Sequence, residues 1–247
     1  MPLLFAALAV ALILILMIPL KMNGFISLLL AALFVGFLQG MSMDKILTSI
    51  TNGVGGQLGS VVILIGFGAM LGTIMADAGA AQRIATTLVD KMGLKRVQIA
   101  ILIASYIIGV TMFFEVAFVL VIPLVFVIAR QTKLNLLWIA IPMSVGLSVT
   151  HSFLPPHPGP AAVAGVFHAN MGLTLIYGLI IAIPAGLIVA LILPRMRFVK
   201  KINPTIPEGI VTSRVFSEEE MPGFGISMFV ALVPVILLGI NAFCTIG

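Results

Sequence analysis

Charge is what this 247-residue sequence has least of: Asp, Glu, Lys and Arg together make up 9% of it, against 61% hydrophobic residues. With a mean hydropathy of +1.28, that excludes an ordinary water-soluble domain, in which about a quarter of the residues are charged. Cysteine is almost missing too. The lone Cys244, set in an apolar run, excludes a disulfide framework and a thiolate metal site and reads as a small buried hydrophobe. No polar stretch is longer than residues 195–222, which leaves no room for a soluble catalytic domain. Residues 2–20 carry no charge ahead of their apolar core and no small-residue cleavage site after it, so a retained span is expected rather than a signal peptide. The net charge of +5 first reports orientation in a membrane, and no nucleic-acid partner is expected.

What the sequence does have is apolar runs on the scale of the roughly 20 residues that cross a bilayer core. They fall at 2–20, 24–41, 58–76, 97–129, 134–149, 161–194 with a break near Asn170, and 224–247. The expected fold is an all-α polytopic membrane protein whose main partner is the lipid bilayer. Residues 42–52 and 77–91 have helical spacing but too many polar groups to span, and are expected to be interfacial helices. Gly53, Gly55, Gly56 and Gly59 are expected to form a flexible entry to the third run.

The basic residues set the topology. With the N-terminus outside, every one of the 13 Lys and Arg residues except Lys45 falls on the cytoplasmic side. Run 97–129 has basic residues at both ends, Lys95 and Arg96 before it and Arg130 and Lys133 after it, so both ends belong on one face. Each arm rises only about 21–24 Å as a helix, short of the roughly 30 Å core. A re-entrant hairpin is therefore expected. Residues 134–170 must then cross once, and the prolines at 155, 156, 158 and 160 forbid a continuous helix, so a broken helix is expected. This gives a first repeat at 1–194, a cytoplasmic linker at 195–222 and the first helix of a truncated second repeat at 223–247. Inverted-repeat secondary transporters are built from such units.

Among the eight acids only Glu115 lies inside a long apolar run, at the expected hairpin tip, where an ionised Asp-like side chain costs about 2.5–3.5 kcal/mol. Such a carboxyl is a candidate proton carrier or a tip organiser. The second constellation is Ser148 to Pro160, where Thr150, His151, Ser152 and His157 surround the helix break and Gly159 begins the next helix. The amide-rich helix starts after Glu115 and Gly159 favour an anionic ligand. No cofactor and no metal are expected. His-Glu-x-x-His is missing, and Ser148 with His151 has no oxyanion loop, which disfavours a membrane protease. No ring-forming filter motif suggests a channel. Gly66, Gly68 and Gly72 read as close helix packing rather than a nucleotide loop. His168 reads as interfacial, Trp138 and Tyr177 as anchors at opposite interfaces, and Tyr106 as either cavity-facing or structurally hydrogen-bonded.

Phe113-Phe114-Glu115-Val116, Ser148-Val149-Thr150-His151, Phe153-Leu154-Pro155-Pro156-His157-Pro158-Gly159-Pro160 and Phe216-Ser217-Glu218-Glu219-Glu220-Met221-Pro222 together resemble the gluconate permease family, bacterial gluconate:proton symporters of the ion transporter superfamily. Residues 21–25, 66–72 and 79–88 extend the resemblance in family order over essentially the whole chain. It implies uptake of gluconate or a similar sugar acid, such as L-idonate or a ketogluconate, with protons across the bacterial inner membrane. A D-serine-like or other small organic acid permease is the alternative. Family members look about twice as long, so the chain is expected to be an incomplete transporter; a homo-oligomer is compatible with the sequence.

Overall fold

The computed structural model describes residues 2–202, 204 and 216–246, and among these it contains helices and turns but no strand. The helices are α1 (Pro2–Met17), α2 (Gly24–Leu38), α3 (Met43–Asp77), α4 (Ala80–Met92), α5 (Val97–Thr111), α6 (Phe114–Thr132), α7 (Leu136–Phe153), α8 (Pro158–Val166), α9 (Met171–Ile192), α10 (Arg197–Lys200) and α11 (Phe224–Ile246). A chain this apolar must satisfy its backbone internally, and the helix does so within one segment. Asparagine starts three of them. The side chains of Asn23, Asn135 and Asn170 accept from the amides of Phe25, Leu137 and Leu173 at 2.9, 2.8 and 3.0 Å, capping α2, α7 and α9.

Four stretches among the described residues are long and apolar enough to cross a membrane: Leu94–Thr111, Leu136–Val166, Met171–Arg195 and Phe224–Cys244. The chain divides into two compact units, residues 1–60 and 61–247. In the first, α1 packs on α2, and Gly36 lies so close to Ile46 that an added Cβ would sit 2.7 Å from its side chain. In the second, α5 is the central helix, with 61% of the Leu94–Thr111 stretch buried against 17% of Phe224–Cys244. Ile101, Ala104 and Ile108 of α5 join Ile84 of α4, Val121 and Val125 of α6, Met143 and Leu147 of α7 and Ala231 of α11 in one core.

The expected interfacial helix at 42–52 and the flexible glycine entry are corrected by α3, one helix of 35 residues running through Gly53, Gly55, Gly56 and Gly59. It contains no proline. Glycine weakens a helix by about 1 kcal/mol against alanine but removes no backbone donor, so the ladder continues. A lone proline removes one donor, yet Pro123, Pro142, Pro184 and Pro234 lie inside α6, α7, α9 and α11 without ending them. The cluster at 155–160 separates α7 from α8. The expected interfacial helix at 77–91 is α4, whose Ala80, Ala81, Ile84, Ala85 and Val89 are buried against neighbours that include α5, α6 and α11.

Gln82 on α4 pairs with the backbone of Phe216 in both directions, donating from Nε2 to its carbonyl at 2.9 Å and accepting its amide at 3.0 Å. Next to it, Arg83 donates to the carbonyls of Pro222 at 2.9 Å, Glu218 at 2.6 Å and Met221 at 3.4 Å. Gly79, with φ of +72°, leaves the space that the Phe216 ring fills. The chain entering α11 is thereby clasped to α4. Arg83→Gln is expected to lower stability by about 1–2 kcal/mol, since charge-assisted bonds are lost from a partly exposed site. Thermal unfolding of the detergent-solubilised chain measures this, and an unchanged midpoint would show that the clasp contributes nothing.

Candidate functional site

The run 97–129 is interrupted where expected. α5 ends at Thr111, Met112 is extended with φ −115° and ψ 141°, and α6 begins at Phe114. The arms are longer than the sequence suggested, because α6 continues to Thr132 and a short 3₁₀ turn at Leu94–Arg96 precedes α5. The second interruption separates α7 from α8 at residues 154–157, and it includes a cis Pro155–Pro156 peptide.

The two interruptions meet. His157 Nε2 lies 2.6 Å from the Gly109 carbonyl oxygen in the last turn of α5. The Phe113 ring, at the first break, stands 6.1 Å from His157 and 6.4 Å from His151, centroid to centroid. The two imidazoles are 4.8 Å apart. His157 is 2% exposed, whereas Nδ1 of His151 is buried with no hydrogen-bond partner, an open valence next to the break. Glu115 is exposed on the first turn of α6. Phe113 and Gly109 were not singled out by the sequence reading. Phe113 was visible only as a neighbour of Glu115, and Gly109 had no local signal.

The six expected site residues lie in different surroundings. Glu115, His151 and His157 gather at the facing breaks. Thr150 is wholly buried, its hydroxyl within reach of the Gly146 and Leu147 carbonyls of its own helix at 3.0 and 2.9 Å, and it packs directly on Gly109. Ser152 and Gly159 instead line an open cleft of about 520 Å³ beside α8, together with Pro160 and Thr174. The expected amide-rich start of α8 is corrected by its own composition. Pro158 opens the helix, with Gly159 and Pro160 in its first turn, and proline has no N–H. Gly159 therefore supplies the sole free amide among those three positions, and nothing lies within 4 Å of where a Cβ would stand on it. No group of three or more His, Cys, Asp and Glu residues that could hold a metal ion occurs among the described residues.

Of the remaining expectations, Tyr106 is structurally hydrogen-bonded: its hydroxyl donates to the Ala182 carbonyl at 2.5 Å. Gly72 packs against Met112 and Thr111, with an added Cβ 3.4 Å from each. His168 is exposed, in a left-handed turn with φ of 50°. Trp138 receives Arg195 over its ring at 4.9 Å.

Helices of spanning length, lipid-compatible outer faces and two half-helix breaks set against each other inside an apolar unit define a polytopic membrane protein. Comparison with known proteins places it more narrowly. The model of the GntP family permeases matches residues 1–247. The chain is 52% identical over 242 residues to the high-affinity gluconate transporter of Escherichia coli K12, covering 98% of this chain and 55% of that protein. It is 51% identical to the Gnt-II system L-idonate transporter of the same organism, covering 100% and 56%. Against the gluconate permease of Bacillus subtilis 168 it is 48% identical, covering 97% and 54%. The chain belongs to the GntP permease family and is a multi-pass protein of the bacterial inner membrane. It spans about half the length of the curated relatives it matches, and no solved structure matches it.

Proposed function

We propose that this chain forms half of a transporter that takes up gluconate, or a closely similar sugar acid such as L-idonate, together with protons. The observation that carries the reading is the meeting of the Met112–Phe113 break with the 154–157 break. Broken helices at membrane depth are tolerated where they are buried in protein or line a watery cavity, and transporters place their sites there. Residues 1–194 are the first of two inverted repeats, with 97–129 a re-entrant hairpin and 134–170 a broken helix. Residues 195–222 are a cytoplasmic linker and 223–247 open the second repeat. Within 195–222, residues 203 and 205–215 lie outside the described residues.

Glu115 carries the coupled proton, His151 offers its open Nδ1 to the sugar acid, and Ser152 with the Gly159 amide offers donors at the end of a short helix dipole. Thr150 keeps α5 and α7 in contact, which holds this arrangement in place. Gluconate bears one carboxylate and several hydroxyls, so a few convergent donors suit it better than a cluster of cations.

Uptake of labelled gluconate in a permease-deficient bacterium tests the reading. The chain alone is compared with the chain continued by the remaining part of the E. coli gluconate transporter. Accumulation by the continued form and none by the chain alone is expected. If neither accumulates gluconate while both are present in the membrane, the assignment fails.

A further inference from the structure

We propose that His157 is a positioning residue, the tertiary cap that closes α5 and sets the spacing between the two helix breaks, rather than a ligand of the transported acid. The inference deepens the reading above and rests on it only for the transport readout.

α5 stops at Thr111 because Met112 turns extended, so the carbonyls of its last turn lose the amides that a continuing helix would have supplied. An unpaired buried carbonyl costs about as much as a lost hydrogen bond. Gly109 is buried, and its carbonyl is reached by His157 Nε2 at 2.6 Å from 48 residues along the chain. A carbonyl oxygen can only accept, so Nε2 must carry the hydrogen. That fixes the ring's orientation and the protonation of this nitrogen.

The same residue is the N-cap of α8, with φ −61° and ψ 146°, yet its side chain makes no capping bond to that helix. Its imidazole is committed across the gap to α5 instead. One residue therefore begins the half-helix after the second break and ends the half-helix before the first. At 2% exposure it has little surface left for a ligand. Gly109 serves the contact doubly, because any side chain there would collide with the Thr150 hydroxyl. Thr150 and His157 thus brace α5 from either side of the second break. Phe113 lies against both rings, so displacement of His157 would disturb the first turn of α6, where Glu115 stands.

The sequence contains three histidines, so ¹⁵N-imidazole spectra of the detergent-solubilised chain can be assigned with one variant per ring. His157 is expected to show a protonated Nε2 that does not change on addition of gluconate. A spectrum with Nε2 unprotonated, or His157 resonances that move with gluconate, would overturn the assignment. Two variants give an independent check. His157→Gln retains an Nε2–H donor, whereas His157→Leu leaves the Gly109 carbonyl without one. In the continued transporter, His157→Leu should lower the maximal uptake rate about tenfold or more, with His157→Gln recovering most of it and KM within about twofold in both. A rise in KM as the main effect of either variant would make His157 a ligand and end the proposal. Should the transporter take up no gluconate at all, the function fails, while the Nε2 protonation state still decides the cap.

Discussion

Glu115→Gln in the continued transporter is expected to abolish uphill accumulation of gluconate while leaving exchange across the membrane in place. Glutamine keeps the shape and the hydrogen-bonding capacity of the side chain and removes only the exchangeable proton. Glu115 is the acid that lies within a long apolar run, between Phe114 and Val116, on the first turn of α6 where the helix dipole meets it. Each unit of pH difference is worth about 1.4 kcal/mol for each proton carried, or about a tenfold concentration ratio. Loss of coupling should therefore bring the accumulation ratio from about tenfold per pH unit to unity, while counterflow of labelled against unlabelled gluconate persists. Labelled uptake and counterflow in the same vesicles measure both. If Glu115→Gln accumulates gluconate as well as the parent, the carboxylate only organises the hairpin tip.

Gly146→Val should be strongly damaging to folding. Helices in a bilayer gain little from hydrophobic exclusion and hold together through close packing of small residues. At Gly146 an added Cβ would stand 2.7 Å from Ser105 Cβ and 3.2 Å from the Leu102 carbonyl oxygen of α5. The obstacle includes backbone, so α5 and α7 must part, and a loss of about 3 kcal/mol is expected from overpacking. Thermal unfolding in detergent reads the change. Gly159→Ala provides the contrast, because its Cβ enters open space and the unfolding midpoint should stay where it is. Equal destabilisation by the two would show that α5 and α7 do not pack as closely as described.

Both helix breaks were readable from the sequence for different reasons. The 154–157 break follows from prolines that remove donors and crowd the preceding turn. The Met112–Phe113 break follows from a run too long for one crossing with basic residues at each end. α3 was misread because glycines and polar side chains at 42–60 mark turns, whereas a segment with no proline keeps every backbone donor and can continue its helical ladder. The candidate site was legible as residue types and not as an arrangement. Thr150 resembles a ligand until Gly109 is seen against it, and no local pattern ties His157 to a carbonyl 48 residues earlier. The two prolines that strip α8 of amides stood in the sequence all along; their effect required knowing that the helix starts at Pro158.

The clasp on α4 grips peptide groups. Gln82 reads one carbonyl and one amide, and Arg83 reads three carbonyls, so the side chains at 218–222 contribute nothing to those bonds. The clasp therefore works as a ruler of chain length: an insertion or deletion between Phe216 and Pro222 would put different peptide groups under Gln82 and Arg83. This stretch is thus constrained in count, and the point at which α11 begins is inherited through the number of residues between two contacts.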